Sequence, residues 1–185
     1  PYCTYGRWEL DPGARAMSFE DFRKYATRLQ EMGVEGFILT GGGEPTLAPD
    51  FDRITDWMNK KGLHYGINTN FNALKMPKPD YLKVSLDGWD EDSYEQRRGV
   101  RKYADVVKNI QNYAAWKRQY SPRTSLGIQC VVTSPDDVLR FYDANYALSV
   151  DYISFRPIES TGGQAYAMAM AREQAAKTME VVKEL

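Results

Sequence analysis

The chain has 185 residues, 43% of them hydrophobic, which fits one globular domain burying about 70% of its unfolded surface. Its 24 basic and 25 acidic side chains leave a net charge of -1, which excludes a general electrostatic pull toward nucleic acid or membrane. No apolar run reaches the ~18 residues that span a bilayer. The two cysteines, Cys3 and Cys130, make no disulfide framework, since Cys130 lies mid-run in an apolar stretch. A reducing, cytoplasmic compartment is therefore expected.

In chain order, Ser18 is the predicted N-cap of a helix whose Phe22, Tyr25, Ala26, Leu29 and Met32 keep helical spacing up to Gly33. A strand follows over 36–40, then a helix over 50–61 with Phe51, Ile54, Trp57 and Met58 on one face and Gly62 at its end. Residues 64–70 read as a strand, and 72–80, with Pro77 and Pro79, as a connection. The next strand is 81–86, followed by a short helix over 90–98 and a longer one over 102–119 that Ser121 and Pro122 terminate. A strand over 125–133 leads to a helix with Ser134 ahead of Pro135 at its first position, ending near Leu148. A strand over 151–157, a turn at 161–163 and a helix over 164–185 complete the chain. Short apolar strands alternating with amphipathic helices give an α/β fold with a parallel sheet covered by helices.

In such folds chemistry gathers at the C-terminal ends of the strands. There the five strands deliver in turn Gly41, Gly42, Gly43 and Glu44; Asn68, Thr69 and Asn70; Ser85 and Asp87; Thr133 and Ser134; and Phe155, Arg156 and Pro157. Five polar or glycine-rich endings together predict a lined site. The first is the most specific: three glycines bare the backbone where a buried strand stops, Glu44 adds a carboxylate and Pro45 fixes the turn. This suits a cationic amine, and the Lys-Ser/Thr ending of a phosphate loop is absent. On the third strand, alternation puts Leu82, Val84 and Leu86 on one face and Lys83, Ser85 and Asp87 on the other, with the polar face lining the site. Arg97 and Arg98 follow one another at a helix end before Gly99, where an arginine would attract a carboxylate. Gly127 either admits close approach of a ligand or serves packing. Arg156 holds an anionic group or pairs with Glu159 or Asp87. His64 starts its strand, far from the site, and is not nominated.

Tyr2 and Cys3 match the last two positions of Cys-x-x-x-Cys-x-aromatic-Cys, and residues 42–45 read Gly-Gly-Glu-Pro. In both the chain resembles the radical S-adenosylmethionine (SAM) enzymes. The resemblance implies a partial (β/α)6 TIM-like barrel with mainly parallel strands, with residues 1–185 as a single core domain. The other two cysteines would sit immediately before Pro1 and four residues further upstream. The chain thus looks truncated inside its cluster loop, with a sixth strand just ahead of it.

By the same resemblance, Cys3 and the two upstream cysteines bind a [4Fe-4S] cluster. Its open iron takes the amino and carboxylate groups of SAM, beside Tyr2 of the motif. Carbonyls of Gly41, Gly42 and Gly43, together with Glu44 and the Pro45 turn, hold the amino group. Ser85 and Asp87 meet the ribose and Gly127 the adenine; Arg98, which with Gly99 matches the family's Arg-Gly pair, is preferred over Arg97 for the SAM carboxylate. Asn70 matches a Thr-Asn ending common in the family. Reductive cleavage of SAM then gives a 5′-deoxyadenosyl radical that takes a hydrogen atom from a substrate, with a peptide or small molecule favoured and a flavodoxin or ferredoxin as reductant. With one thiolate in place of three, the 185 residues alone are expected to hold the cluster poorly. Two rival readings are a Schiff-base aldolase with Lys83 as nucleophile and a non-catalytic SAM-like ligand-binding barrel.

Overall fold

A computed structural model describes residues 16–157, 176–177 and 179–183. Tyr2, Cys3, the expected upstream strand, the turn at 161–163 and most of the expected last helix lie outside the described residues; the pieces of that helix inside them are helical. The elements run α1 (Phe19–Glu31), β1 (Gly36–Leu39), a 3-10 turn (Pro45–Leu47), α2 (Phe51–Lys61), β2 (His64–Thr69), β3 (Tyr81–Ser85), α3 (Glu91–Arg98), α4 (Tyr103–Tyr120), β4 (Ser125–Val132), α5 (Pro135–Asn145) and β5 (Tyr152–Pro157). The expected order of strands and helices is reproduced, with boundaries displaced by one to a few residues. The largest displacement is at α5, which stops at Asn145 instead of Leu148.

The helix starts follow local chemistry. Ser18 Oγ accepts a hydrogen bond from Asp21 N at 3.1 Å. Asp90 with Ser93, and Ser134 with Asp137, form reciprocal capping boxes at α3 and α5. Each satisfies N–H groups that a helix start leaves without partners.

The five strands form one parallel sheet in the order β1-β2-β3-β4-β5. Each right-handed crossover moves the chain one strand onward without reversal, so the covering helices collect on one face and the sheet curves into a barrel wall. Burial follows. On β3 and β4 the side chains of Leu82, Val84, Leu126, Ile128 and Cys130 are wholly buried in a core with Val106, Ile110, Val138 and Phe141 of the helices. A second core joins Phe22 and Ala26 of α1, Ile54 and Met58 of α2, and Tyr65 and Ile67 of β2. Each fully buried aliphatic side chain contributes about 1.5–3 kcal/mol. The opposite face, carrying Asn68, Lys83, Ser85, Gly127 and Gln129, belongs to neither core and forms the inner wall of a partial barrel.

Candidate active site

A cavity of about 310 Å³ opens at the C-terminal ends of β1, β2 and β3. It is lined by Thr40, Gly41, Gly42, Gly43, Glu44, Pro45, Asn68, Thr69, Asn70, Ser85 and Arg98. Sequence reasoning nominated eight of these as binding residues: the three glycines, Glu44, Pro45, Asn70, Ser85 and Arg98.

The glycine segment leaves β1 and is anchored by Glu44. Glu44 Oε1 accepts from Thr46 N (3.1 Å), Thr46 Oγ1 (2.7 Å) and Thr69 Oγ1 (2.6 Å), and Oε2 accepts from Asn70 N (2.7 Å). The carboxylate expected to face an amine is thus turned chiefly onto its own chain, where it bolts the turn to the end of β2. Oε2, with a single partner, keeps acceptor capacity. The side-chain-free backbone beside it stays open: a β-carbon on Gly43 would meet nothing within 4 Å.

Beyond β2 the chain makes a tight turn. Asn70 Oδ1 accepts from Asn72 N at 3.0 Å and Thr69 Oγ1 from Phe71 N at 2.9 Å. Phe71 has φ 56°, unusual for an aromatic residue. Its wholly buried ring, edge-on to Tyr113 with centroids 5.8 Å apart, and its carbonyl, which accepts from Asn109 Nδ2, hold it there.

Ser85 and Asp87 part company. Ser85 is the last residue of β3 and lines the cavity. Asp87 does not continue the alternation, because β3 ends before it and its φ is 52°. The N–H groups of Leu86 and Asp87 both converge on Gln129 O (3.0 and 3.3 Å). The Asp87 carboxylate is turned into the wall, 3% exposed, accepting from Val131 N at 2.7 Å and pairing with Arg98 at 3.2 Å. Burial pushes its pKa up despite Arg98 and the Val131 N–H. Asp87 is not among the residues that line the cavity; its carboxylate staples β3 to β4 and pairs with Arg98.

Arg98 closes α3, and Gly99, at φ 79°, ends the helix in the left-handed region. Its guanidinium donates to Ser85 O at 3.1 Å, pairs with Asp87 and lines the cavity. Arg97 is a structural clamp: buried, it donates to Val131 O (2.7 Å), pairs with Asp137 (2.7 Å) and lies 4.7 Å from the Trp89 ring centre. The preference for Arg98 over Arg97 therefore fits the geometry.

Gly127 resolves toward packing. A β-carbon there would lie 2.1 Å from the Tyr152 ring, which occupies the space above the glycine, just as Tyr81 occupies the space above Gly66. Arg156 lies exposed near the end of β5, in register with Val131 and away from the cavity lining; the ion pair of Asp87 is with Arg98. His64 is at the opposite end of the sheet, 3.2 Å from Asp80.

Thr40, Asn68 and Thr69 line the cavity without having been nominated. Asn68 was within reach of the alternation argument, since it shares a strand face with Asn70. Thr69 stood among the polar strand ends, but its role was not legible, because it lies in reaching Glu44, 25 positions away.

The cavity fits the aminoacyl part of SAM. Open glycine backbone and a carboxylate oxygen with spare capacity suit an ammonium, Arg98 suits a carboxylate, and the Asn68 Oδ1, buried without a partner, asks for a donor. Among the described residues no cluster of three His, Cys, Asp or Glu side chains could hold a metal. No helix among them is long and apolar enough to cross a membrane.

The family model described as the Radical SAM superfamily matches residues 1–117. Mycofactocin maturase MftC of Mycobacterium tuberculosis is 28% identical over 124 residues, covering 62% of this chain and 30% of MftC. GTP 3',8-cyclase of Haemophilus influenzae is 32% identical over 121 residues, covering 58% of this chain and 36% of the cyclase. The chain thus spans about a third of the length of these curated relatives. Streptococcus suis SuiB bound to S-adenosylmethionine shares the fold, with a TM-score of 0.70 at 18% identity over 95% of this chain and 42% of SuiB. SuiB bound to precursor peptide SuiA gives a TM-score of 0.71 at 15% identity, covering 98% of this chain and 44% of SuiB.

Proposed function

Because the chain belongs to the radical SAM superfamily, we propose that it is the catalytic core of an enzyme that binds a [4Fe-4S] cluster and SAM and reductively cleaves SAM to abstract hydrogen from a substrate. The observation that carries this reading is the cavity between the open glycine backbone, Ser85 and Arg98. When bound, the cluster and SAM supply a one-electron cleavage whose product is a 5′-deoxyadenosyl radical. Cys3, with two upstream cysteines, is the thiolate set for the cluster.

The chain's own residues bind and orient. Backbone carbonyls of Gly41, Gly42 and Gly43 and the free capacity of Glu44 Oε2 take the SAM ammonium, and Arg98 takes its carboxylate. Ser85, whose hydroxyl makes no hydrogen bond to the described residues, offers a donor and an acceptor to the ribose. Asp87 orients Arg98, and Glu44 holds the loop in shape; both act before any ligand arrives, which is what preorganisation requires. The reductant is a small electron carrier such as a flavodoxin or ferredoxin. The names of two relatives, a maturase and a protein solved with a precursor peptide, favour a peptide substrate over a small molecule.

The test is anaerobic formation of 5′-deoxyadenosine from SAM and dithionite by the full-length protein carrying this chain, reconstituted with iron and sulfide. Turnover that disappears in Cys3→Ala and falls in Ser85→Ala is the expected result. A filled cluster on a folded protein with no turnover would sink the reading.

A further inference from the structure

One row of the inner wall runs on from the proposed SAM site, sharing only Asn68 with it. Asn68 on β2, Lys83 on β3 and Gly127 on β4 are successive register partners, and Tyr152 on β5 is the partner of Gly127. A β-carbon on Gly127 would lie 2.1 Å from Tyr152 Cζ and 2.3 Å from Cε2. The phenol end of the ring therefore covers the glycine, and its hydroxyl reaches onward toward the strand that carries Lys83. The glycine is what allows this reach; any side chain at 127 would fill the same space.

Three polar groups on this row lack partners among the described residues. Lys83 Nζ and Tyr152 Oη make no hydrogen bond or ion pair, and Asn68 Oδ1 is buried and unsatisfied. Lys83 and Tyr152 are half-buried. The acids nearest this face are engaged elsewhere: Glu44 with Thr46, Thr69 and Asn70, Asp87 with Arg98 and Val131 N, and Asp151 with Lys117 and Leu126 N. An ammonium on a barrel wall without a counter-charge is costly unless something supplies one.

We infer that Asn68, Lys83 and Tyr152 form a binding site for a carboxylate of the substrate, in the barrel wall beneath the SAM cavity. The ammonium has three donor hydrogens: one can satisfy Asn68 Oδ1, and the others, with the Tyr152 hydroxyl, can reach the two oxygens of a carboxylate. A single formal positive charge matches one carboxylate, whereas a phosphate dianion would leave a charge uncompensated. The site communicates with the cavity, because Asn68 belongs to both and Ser85, which lines the cavity, is two residues beyond Lys83 on the same face. A substrate held here by its carboxylate would present its remaining atoms upward to the bound SAM. Only the word substrate rests on the radical SAM reading; the anion site rests on the row itself.

The test uses the full-length, reconstituted protein with its lysines labelled with ¹⁵N, which leaves all three hydrogens of each ammonium in place. The Lys83 resonance is assigned by its absence from Lys83→Arg. Glutarate should shift that resonance saturably, and its neutral counterpart glutaramide should not. Glutarate affinity, read by calorimetry in parent and variants alike, should fall about tenfold or more in Lys83→Gln, stay within a few-fold of the parent in Lys83→Arg, and weaken in Tyr152→Phe. Equal shifts from glutarate and glutaramide, or undiminished glutarate binding by a folded Lys83→Gln protein, would overturn the site. Formation of 5′-deoxyadenosine by the parent is measured separately. Glutarate binding at Lys83 in a protein that never cleaves SAM would uphold the anion site and remove the enzymatic reading.

Discussion

Two carboxylates of the site spend their bonding capacity on the protein itself. Glu44 takes four hydrogen bonds that join two segments, the 3-10 turn through Thr46 and the end of β2 through Thr69 and the backbone of Asn70. In Glu44→Gln the new NH₂ group must face donors it cannot bond, or rotate and lose Asn70 N. A loss of about 1–3 kcal/mol in stability is expected, since buried donors left unpaired carry their desolvation cost. SAM affinity should fall with it, because the glycine backbone is held in place by this carboxylate. Thermal unfolding and calorimetric titration with SAM check the two parts; an unchanged melting temperature with weakened SAM binding would mean that Glu44 acts on the ligand alone. Asp87 shows the same economy, in a left-handed conformation that asparagine and aspartate tolerate better than most residues.

At the scale of elements, the junction between β4 and α5 is tied to α3 through one aspartate. Asp137 accepts from Thr133 N (2.7 Å) and Thr133 Oγ1 (2.8 Å), and pairs with Arg97 at 2.7 Å, both side chains being nearly excluded from solvent. Burial raises its pKa, but the Thr133 hydrogen bonds and Arg97 together outweigh it and hold the carboxyl below its ordinary 3.8. A depressed folded-state value means that the stabilisation is fully present above the unfolded value and drains away as pH falls through the lower folded one. Asp137→Asn should therefore cost about 3 kcal/mol at neutral pH, and the gap between parent and variant should narrow only below pH 3.8. Denaturant melts from pH 7 to pH 2.5 measure it. A gap that stays constant down to the lowest pH would show that the carboxylate's charge contributes nothing.

Across the whole molecule, stability is unevenly spread. The wholly buried side chains of β3 and β4 meet three helices, whereas the side chains of β1 alternate between exposed and half-buried and Ile38 is 59% exposed. Amides that open only with global unfolding are expected on β3 and β4, around Leu82, Val84 and Ile128, and the fastest-exchanging strand amides on β1. Hydrogen exchange followed by mass spectrometry reads this directly. Uniform protection across the sheet would contradict it. The same asymmetry serves the site: Ser85 and Arg98 stand on the rigid side, and the glycine segment that must admit a ligand leaves the least buried strand.

The sequence by itself determined the alternation of strands and helices, the helix caps and the end of the sheet at which chemistry collects. Those are local facts: period-two and period-3.6 apolar spacing, Ser18 and Ser134 ahead of their helices, and three glycines where an apolar run stops. Arg98, which lines the cavity, was singled out through the Arg-Gly pair it forms with Gly99, as in the family the chain resembles. The tertiary structure alone decided where side chains point when their partners are far away in sequence. Asp87 turns into the wall because Val131, 44 positions on, presents an N–H to it. Gly127 is a packing glycine because strand register sets Tyr152 beside it. Among the described residues Lys83 has no counter-charge, because Glu44, Asp87 and Asp151 are claimed by partners elsewhere in the fold. Local pattern reports on neighbours within a few residues, whereas register between parallel strands is fixed by crossovers through the helical layer, and only the assembled sheet reveals which residues it brings face to face.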